Sequence, residues 1–144
     1  MKRYLFVLLL SSSFTFAGGK GVAIVDSPST AAEWIYFSGP SPTADWIHFS
    51  GPSVAATYVY ITENCDESSI KLLDSAPVYA DWVYVSGASN SADWIHLSGP
   101  SNAADWYHIT SKESMARIKV CIPNKEMRTK ENIAILLHLL KEEG

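Results

Sequence analysis

Apolar and polar positions alternate along this chain in short bursts that return every twelve residues. Trp34, Trp46, Tyr58, Trp82, Trp94 and Trp106 share one phase. The stretch from Thr43 to Ser53 matches the stretch from Ser91 to Ser101 at nine of eleven positions, an offset of four whole repeats. Val22, Ile70 and Ile118 carry the same phase through degenerate copies, which gives nine strand candidates between Gly21 and Pro123. Each unit reads Ala-Asp-Trp-Ile-His-Phe-Ser-Gly-Pro-Ser with two variable residues. The aromatic and β-branched core suits a short strand. The Ser-Gly-Pro-Ser that follows stops it, since Gly admits turn dihedrals and Pro cannot donate to a ladder.

Side chains alternate across a strand, so each unit has two faces. Ile35, Ile47, Val59, Val83 and Ile95, with Phe37, Phe49, Ile61, Val85, Leu97 and Ile109, form an aliphatic face that predicts the core. The other face holds the Trp column and Tyr36, His48, Tyr60, Tyr84, His96 and His108. In the degenerate copies the pattern inverts. Lys71 and Lys119 fall in the aliphatic column, and Ile70, Leu72, Ile118 and Val120 in the aromatic one, so these strands bury the opposite face. Strands near an edge or in a second sheet behave this way. The strands therefore belong to a sandwich, a barrel or a wound sheet.

After Pro123 the period changes. Ile133, Leu136, Leu137 and Leu140 lie at helical spacing and predict one helix over 125–143, starting either there or nearer Thr129, with Asn124 or Thr129 as cap. Such a helix either covers an open face or edge of the sheet or binds a partner. The organisation expected is 1–17 as a signal peptide, 18–123 as the β-repeat domain and 124–144 as the helix packed on it. The fold class is all-β, with about nine short strands and one C-terminal α-helix.

The first 17 residues carry Lys2 and Arg3, then an apolar run from Tyr4, then Thr15-Phe16-Ala17 with small residues at the peptidase positions. That is the secretory pattern, and it is too short for a membrane span. The mature chain is expected to start near Gly18, to be periplasmic or secreted, and to have no membrane attachment after cleavage. From Gly18 onward it has nine basic and fifteen acidic residues, a formal −6. The negative charge is concentrated before Ser111, which argues against nucleic acid as partner. Cys65 and Cys121 are an even count in an exported chain. They form either a disulfide or two buried free thiols.

The Ala-Asp pair recurs at Asp45, Asp81, Asp93 and Asp105, with Glu33 as a variant. A carboxylate just before a strand accepts loop N–H groups. Calcium is the weaker alternative, because each loop offers a single acid. The chemistry of an enzyme needs one asymmetric constellation, and a repeat supplies many equivalent ones. No catalytic residue, cofactor or metal is expected, although His48, His96 and His108 share a column that would present imidazoles together if their strands were adjacent. Trp34, Trp46, Trp82, Trp94 and Trp106 are candidates for stacking on sugar rings, with Asp45, Asp93, His48 and His96 as polar neighbours. The bland alternative packs those rings between layers. Two functions follow: a structural or protein-interaction module of uncharacterised role, and a glycan-binding module using the Trp and Tyr column.

Ile24-Val25-Asp26-Ser27 leading to Ala32-Glu33, and Leu72-Leu73-Asp74-Ser75 leading to Tyr79-Ala80-Asp81, resemble the repeat of the Septknot family, over roughly Gly21 to Pro123. The resemblance implies a deeply knotted chain and supplies no catalytic residue, the family's function being uncharacterised. Ser-Gly-Pro-Ser in most copies, Trp in place of an aliphatic residue, the signal peptide and the C-terminal helix depart from the family pattern.

Overall fold

A computed structural model describes residues 21–143, so the expected signal peptide, 1–17, and its expected cleavage point lie outside the described residues. All nine strand candidates are strands. They are β1 Gly21–Val25, β2 Glu33–Phe37, β3 Asp45–Phe49, β4 Thr57–Thr62, β5 Ser69–Leu73, β6 Asp81–Val85, β7 Asp93–Leu97, β8 Asp105–Ile109 and β9 Ile118–Cys121. Every pairing is parallel, and the strands close a barrel in the order β1-β5-β9-β4-β8-β3-β7-β2-β6. Strands consecutive in sequence are two places apart in the barrel, with one strand between them.

Register explains how seven-residue connectors manage parallel crossovers. Trp34 faces Tyr84, Tyr36 faces Trp94 and Trp46 faces His96, so each strand is slid two residues against its neighbour. Two steps slide the chain by four residues, almost a full strand length. The connector has only to travel sideways across one strand, about 10 Å. Its backbone passes over the outer face, where the intervening strand carries its aromatic column. The repeat's glycines are not required for this. Gly39, Gly51, Gly87 and Gly99 have open space around an added Cβ, and none lies in the left-handed region, contrary to the expectation that they set turn dihedrals.

The slide is broken twice. Val22 faces Asp81 and Val59 faces Ile118, an offset of one residue in each case. A one-residue change of register exchanges the faces of a strand. Between these two joints lie β1, β5 and β9, which are the inverted strands. Val22, Ile70, Leu72 and Val120 are buried in the core, alongside Ile35, Ile47, Val59, Val83 and Ile95 from strands of the usual polarity. Lys119 points outward to Glu113 (3.2 Å) and Asp66 (3.5 Å). The inversion was expected, but its cause is register within a closed barrel and not an edge.

Nine strands with this slide tilt strongly, and their backbone lies roughly 11 Å from the barrel axis. That interior admits one helix. The segment after β9 forms a 3-10 turn at Lys125–Met127, capped by the Asn124 side chain, and then α1, Lys130–Glu143. The Thr129 hydroxyl accepts the Asn132 N–H at 3.1 Å. Both predicted caps operate, each on its own element, where a single helix from 125 was one of the two readings. Ile133 to His138 are six consecutive buried residues, which covers the whole circumference of a helix. Only a lumen surrounds a helix on every side. The helix therefore fills the barrel where an open face or edge had been expected to receive it.

Cys65 and Cys121 form a disulfide, joining the β4–β5 connector to the end of β9 beneath it. This resolves the two readings of the cysteines in favour of the bond.

Candidate functional site

The repeat builds two belts, one on each side of the sheet. The outer belt is aromatic. Each tryptophan donates its indole N–H to a carbonyl five residues earlier: Trp34 to Ser29 (3.1 Å), Trp46 to Ser41 (2.8 Å), Trp82 to Pro77 (2.9 Å), Trp94 to Ser89 (3.1 Å) and Trp106 to Ser101 (2.9 Å). The same carbonyl accepts the turn N–H three residues on, as in Ala44 N–H to Ser41 (3.2 Å). The ring thereby fastens its own connector to its own strand. The residue two positions after Trp then meets a Trp of the next strand edge to face, at 4.8 Å between Trp46 and His96 and 4.9 Å between His48 and Trp106. Nδ1 of His96, His48 and His108 lies 3.0–3.1 Å from the carbonyl of Ser38, Ser98 and Ser50. All five tryptophans are half-buried.

This register decides the histidine column. The two-residue slide sets each of these imidazoles opposite a tryptophan or Tyr58, never opposite another imidazole. Nδ1 of each is engaged with a connector carbonyl, so the column does not assemble a metal site.

The inner belt is acidic. Glu33, Asp45, Asp81, Asp93 and Asp105 begin β2, β3, β6, β7 and β8, five strands that are contiguous in the barrel. They occupy the inward-facing column, so the arc of acids lies at one mouth of the lumen. Asp45 and Asp93 are thus separated from the tryptophans by the sheet, while His48 and His96 stand with the tryptophans. Asp45, Asp93 and Asp105 receive the last turns of α1, a role that the sequence alone does not assign them.

His138 is buried and bridges two strands. Its Nδ1 lies 2.8 Å from Asp45 Oδ2, and its Nε2 lies 3.2 Å from Asp93 Oδ2 and 3.3 Å from Glu142 Oε2. Lys141 donates to Asp45 Oδ1 at 3.0 Å and to Asp105 Oδ2 at 2.7 Å. Asp93 also shares hydrogen bonds with Glu33 and Glu142. Burial alone would depress the His138 pKa, but hydrogen bonds to Asp45, Asp93 and Glu142 carry it up to about 11. Burial pushes the Asp45 and Asp93 carboxyls up, and hydrogen bonds, from His138 first, overcome it and hold both below the usual carboxylate range. Tyr107, where other strands place Ile or Val, has its phenol pKa raised by burial and then by Asp105 and Asp45.

Cations at this position also suit the helix, whose C-terminus carries partial negative charge. Among the described residues, one set of four brings metal-ligand atoms together: those of Glu33, Asp93, His138 and Glu142 lie within 4.8 Å of one another. The repeat makes the acidic column visible in the sequence. His138, Lys141 and Glu142 were not legible as its partners, because they sit on an element with a different period. The one available signal was a histidine amid an otherwise aliphatic helix core. No protein-family model, curated protein or solved structure matches this chain.

Proposed function

We propose that the mature chain is an exported, non-enzymatic module with a structural or protein-binding role. The observation that carries this reading is the enclosed helix. The lumen, where a barrel of this kind would hold a small ligand, is occupied by α1 and by the inward columns. Recognition then falls to the outer connectors, several of which hold apolar side chains in water, among them Val54, Val78 and Tyr79. A disulfide accords with an oxidising compartment. The Septknot likeness adds no site residue to this reading.

The tryptophans support the same view. Stacking on a sugar needs an open aromatic face and free polar neighbours. Here the indole N–H groups are committed to the connectors, and Asp45 and Asp93 face the lumen.

The test is to express the full chain in a bacterial host, isolate the exported fraction, sequence its N-terminus and titrate its Trp fluorescence with soluble oligosaccharides. The reading expects an N-terminus near Gly18 and no saturable spectral change. A cytoplasmic product that keeps Met1 removes export. A saturable shift that disappears in Trp94→Ala replaces the scaffold with the glycan-binding module.

A further inference from the structure

We propose that Glu33, Asp93, Glu142 and Nε2 of His138 bind one divalent transition-metal ion, which fastens the last turn of α1 to the barrel mouth. The donors come from three elements. Glu33 and Asp93 stand on adjacent strands β2 and β7, and His138 and Glu142 are one helical turn apart on α1. Residues four apart share a helix face, so the pair presents an imidazole and a carboxylate to the same point.

All four donor atoms lie within 4.8 Å of one another, and two of the spacings match a coordination shell. Nε2 lies 3.2 Å from Asp93 Oδ2 and 3.3 Å from Glu142 Oε2. In a tetrahedral site with metal–ligand bonds of about 2.0–2.1 Å, neighbouring donor atoms are separated by about 3.3 Å. The imidazole is oriented for the task. Asp45 holds Nδ1 at 2.8 Å, which fixes the ring and turns Nε2 toward the three carboxylates. Asp45 is itself held by Lys141 at 3.0 Å.

Charge points the same way. Side chains of Asp93 and His138 are 12 % and 8 % exposed and that of Glu142 is 23 % exposed, while Glu33 is buried. The two carboxylates on the strands are the shielded ones, and the His138 imidazole is the positive group beside them. Lys141 is occupied by Asp45 and Asp105, on the far side of the imidazole. A divalent ion at the shared point would take the place of the Nε2 proton that joins His138 to Asp93 and Glu142. One nitrogen and three oxygen donors favour Zn2+ or its first-row neighbours over Ca2+, which takes six to eight oxygens.

The experiment uses the mature, oxidised protein stripped with EDTA. Zn2+ is titrated calorimetrically, Co2+ is added for its visible d–d absorption, and thermal melts are run with Zn2+ and with equal Ca2+. We expect one Zn2+ per chain, tetrahedral Co2+ bands, and a melting temperature that rises with Zn2+ but not Ca2+. Glu142→Gln, at the most accessible of the four ligands, should weaken Zn2+ binding about 10–100-fold while the far-UV spectrum stays native. Absence of one-to-one binding, an equal response to Ca2+, or unchanged affinity in Glu142→Gln overturns the site. In that event the carboxylates are neutralised by shared protons and the imidazolium alone. The scaffold reading stands or falls separately, on export and oligosaccharide titration.

Discussion

Phe37 ends β2 at the level where Asp45 begins β3, because Ile95 of β7 is the register partner of both. The chain therefore advances by stepping sideways over one strand, and the β2–β3 connector ends in a turn closed by the Ala44 N–H on the Ser41 carbonyl. This bears on the glycine of each Ser-Gly-Pro-Ser. At Gly39 and Gly51 an added methyl group meets nothing within 4 Å, and the backbone is in a region open to any residue. Alanine there restricts the unfolded chain without straining the folded one. Gly51→Ala should stabilise by about 0.4–1 kcal/mol in urea unfolding. A loss of stability would show that the crossing needs a backbone state reserved for glycine.

The Trp46 ring has two separable jobs, an edge-to-face contact with His96 at 4.8 Å and a hydrogen bond to the Ser41 carbonyl at 2.8 Å. Trp46→Phe keeps an aromatic ring against the imidazole and loses the donor, at an expected cost of about 1 kcal/mol. Trp46→Ala loses both along with the ring's buried area, and should cost about 2–4 kcal/mol. Equal costs for the two variants would mean that the ring contact with His96 contributes nothing.

Nine strands, their two faces and the inversion in three of them were legible, because each is a local consequence of a period-two pattern set in a twelve-residue phase. Lys71 and Lys119 betray the inverted strands by appearing where Ile47 and Ile95 stand elsewhere. Pairing was not legible. That β1 lies beside β5 and β6 depends on a slide of two residues per strand, and no single repeat records it. Nor was the place of α1. Its six enclosed residues include aliphatics on every side, which departs from the one-sided stripe of a covering helix, yet the size of the lumen follows only from closure. The acidic column was seen and its role missed for the same reason: Asp45 meets His138 across 93 positions of sequence.

The two register joints give a directional test. Leu72 is 1 % exposed and points inward on β5, while its neighbour Lys71 points out. Leu72→Lys places a charge in the lumen beside α1 and should abolish the folded state or cost more than about 4 kcal/mol. Lys71→Leu sits on the outer face and should change stability by less than about 0.5 kcal/mol. The reverse ranking, read from urea midpoints, would put β5 in the polarity of the other repeats.

The disulfide closes a separation of 56 residues and holds the β4–β5 connector down on β9. In the chain-entropy model a loop of this length contributes about 4 kcal/mol. The Cys65→Ser, Cys121→Ser double variant should unfold at correspondingly lower denaturant, with an unchanged barrel by far-UV circular dichroism. A double variant as stable as the parent would show that the bond contributes no net stability.

Removal of residues 124–144 is the most severe perturbation the fold predicts. The helix contributes Ile133, Ala134, Ile135, Leu136 and Leu137 to the interior, all 5 % exposed or less. Burial of that set is worth on the order of 10 kcal/mol, comparable with the net stability of a whole domain. Without it the inward columns of Ile35, Ile47 and Ile95 would line a water-filled tube, since nine staggered strands cannot draw in far enough to touch across the axis. The truncated, disulfide-intact chain should lose its near-UV tryptophan signal, bind a hydrophobic dye and melt without a cooperative transition. A milder probe, Ile135→Ala in the full chain, should cost about 2–5 kcal/mol and keep cooperativity. Should the truncated chain retain a sharp melt and native tryptophan spectra, the helix would be an ornament on a barrel that is stable when hollow, and its place in the lumen would need another explanation.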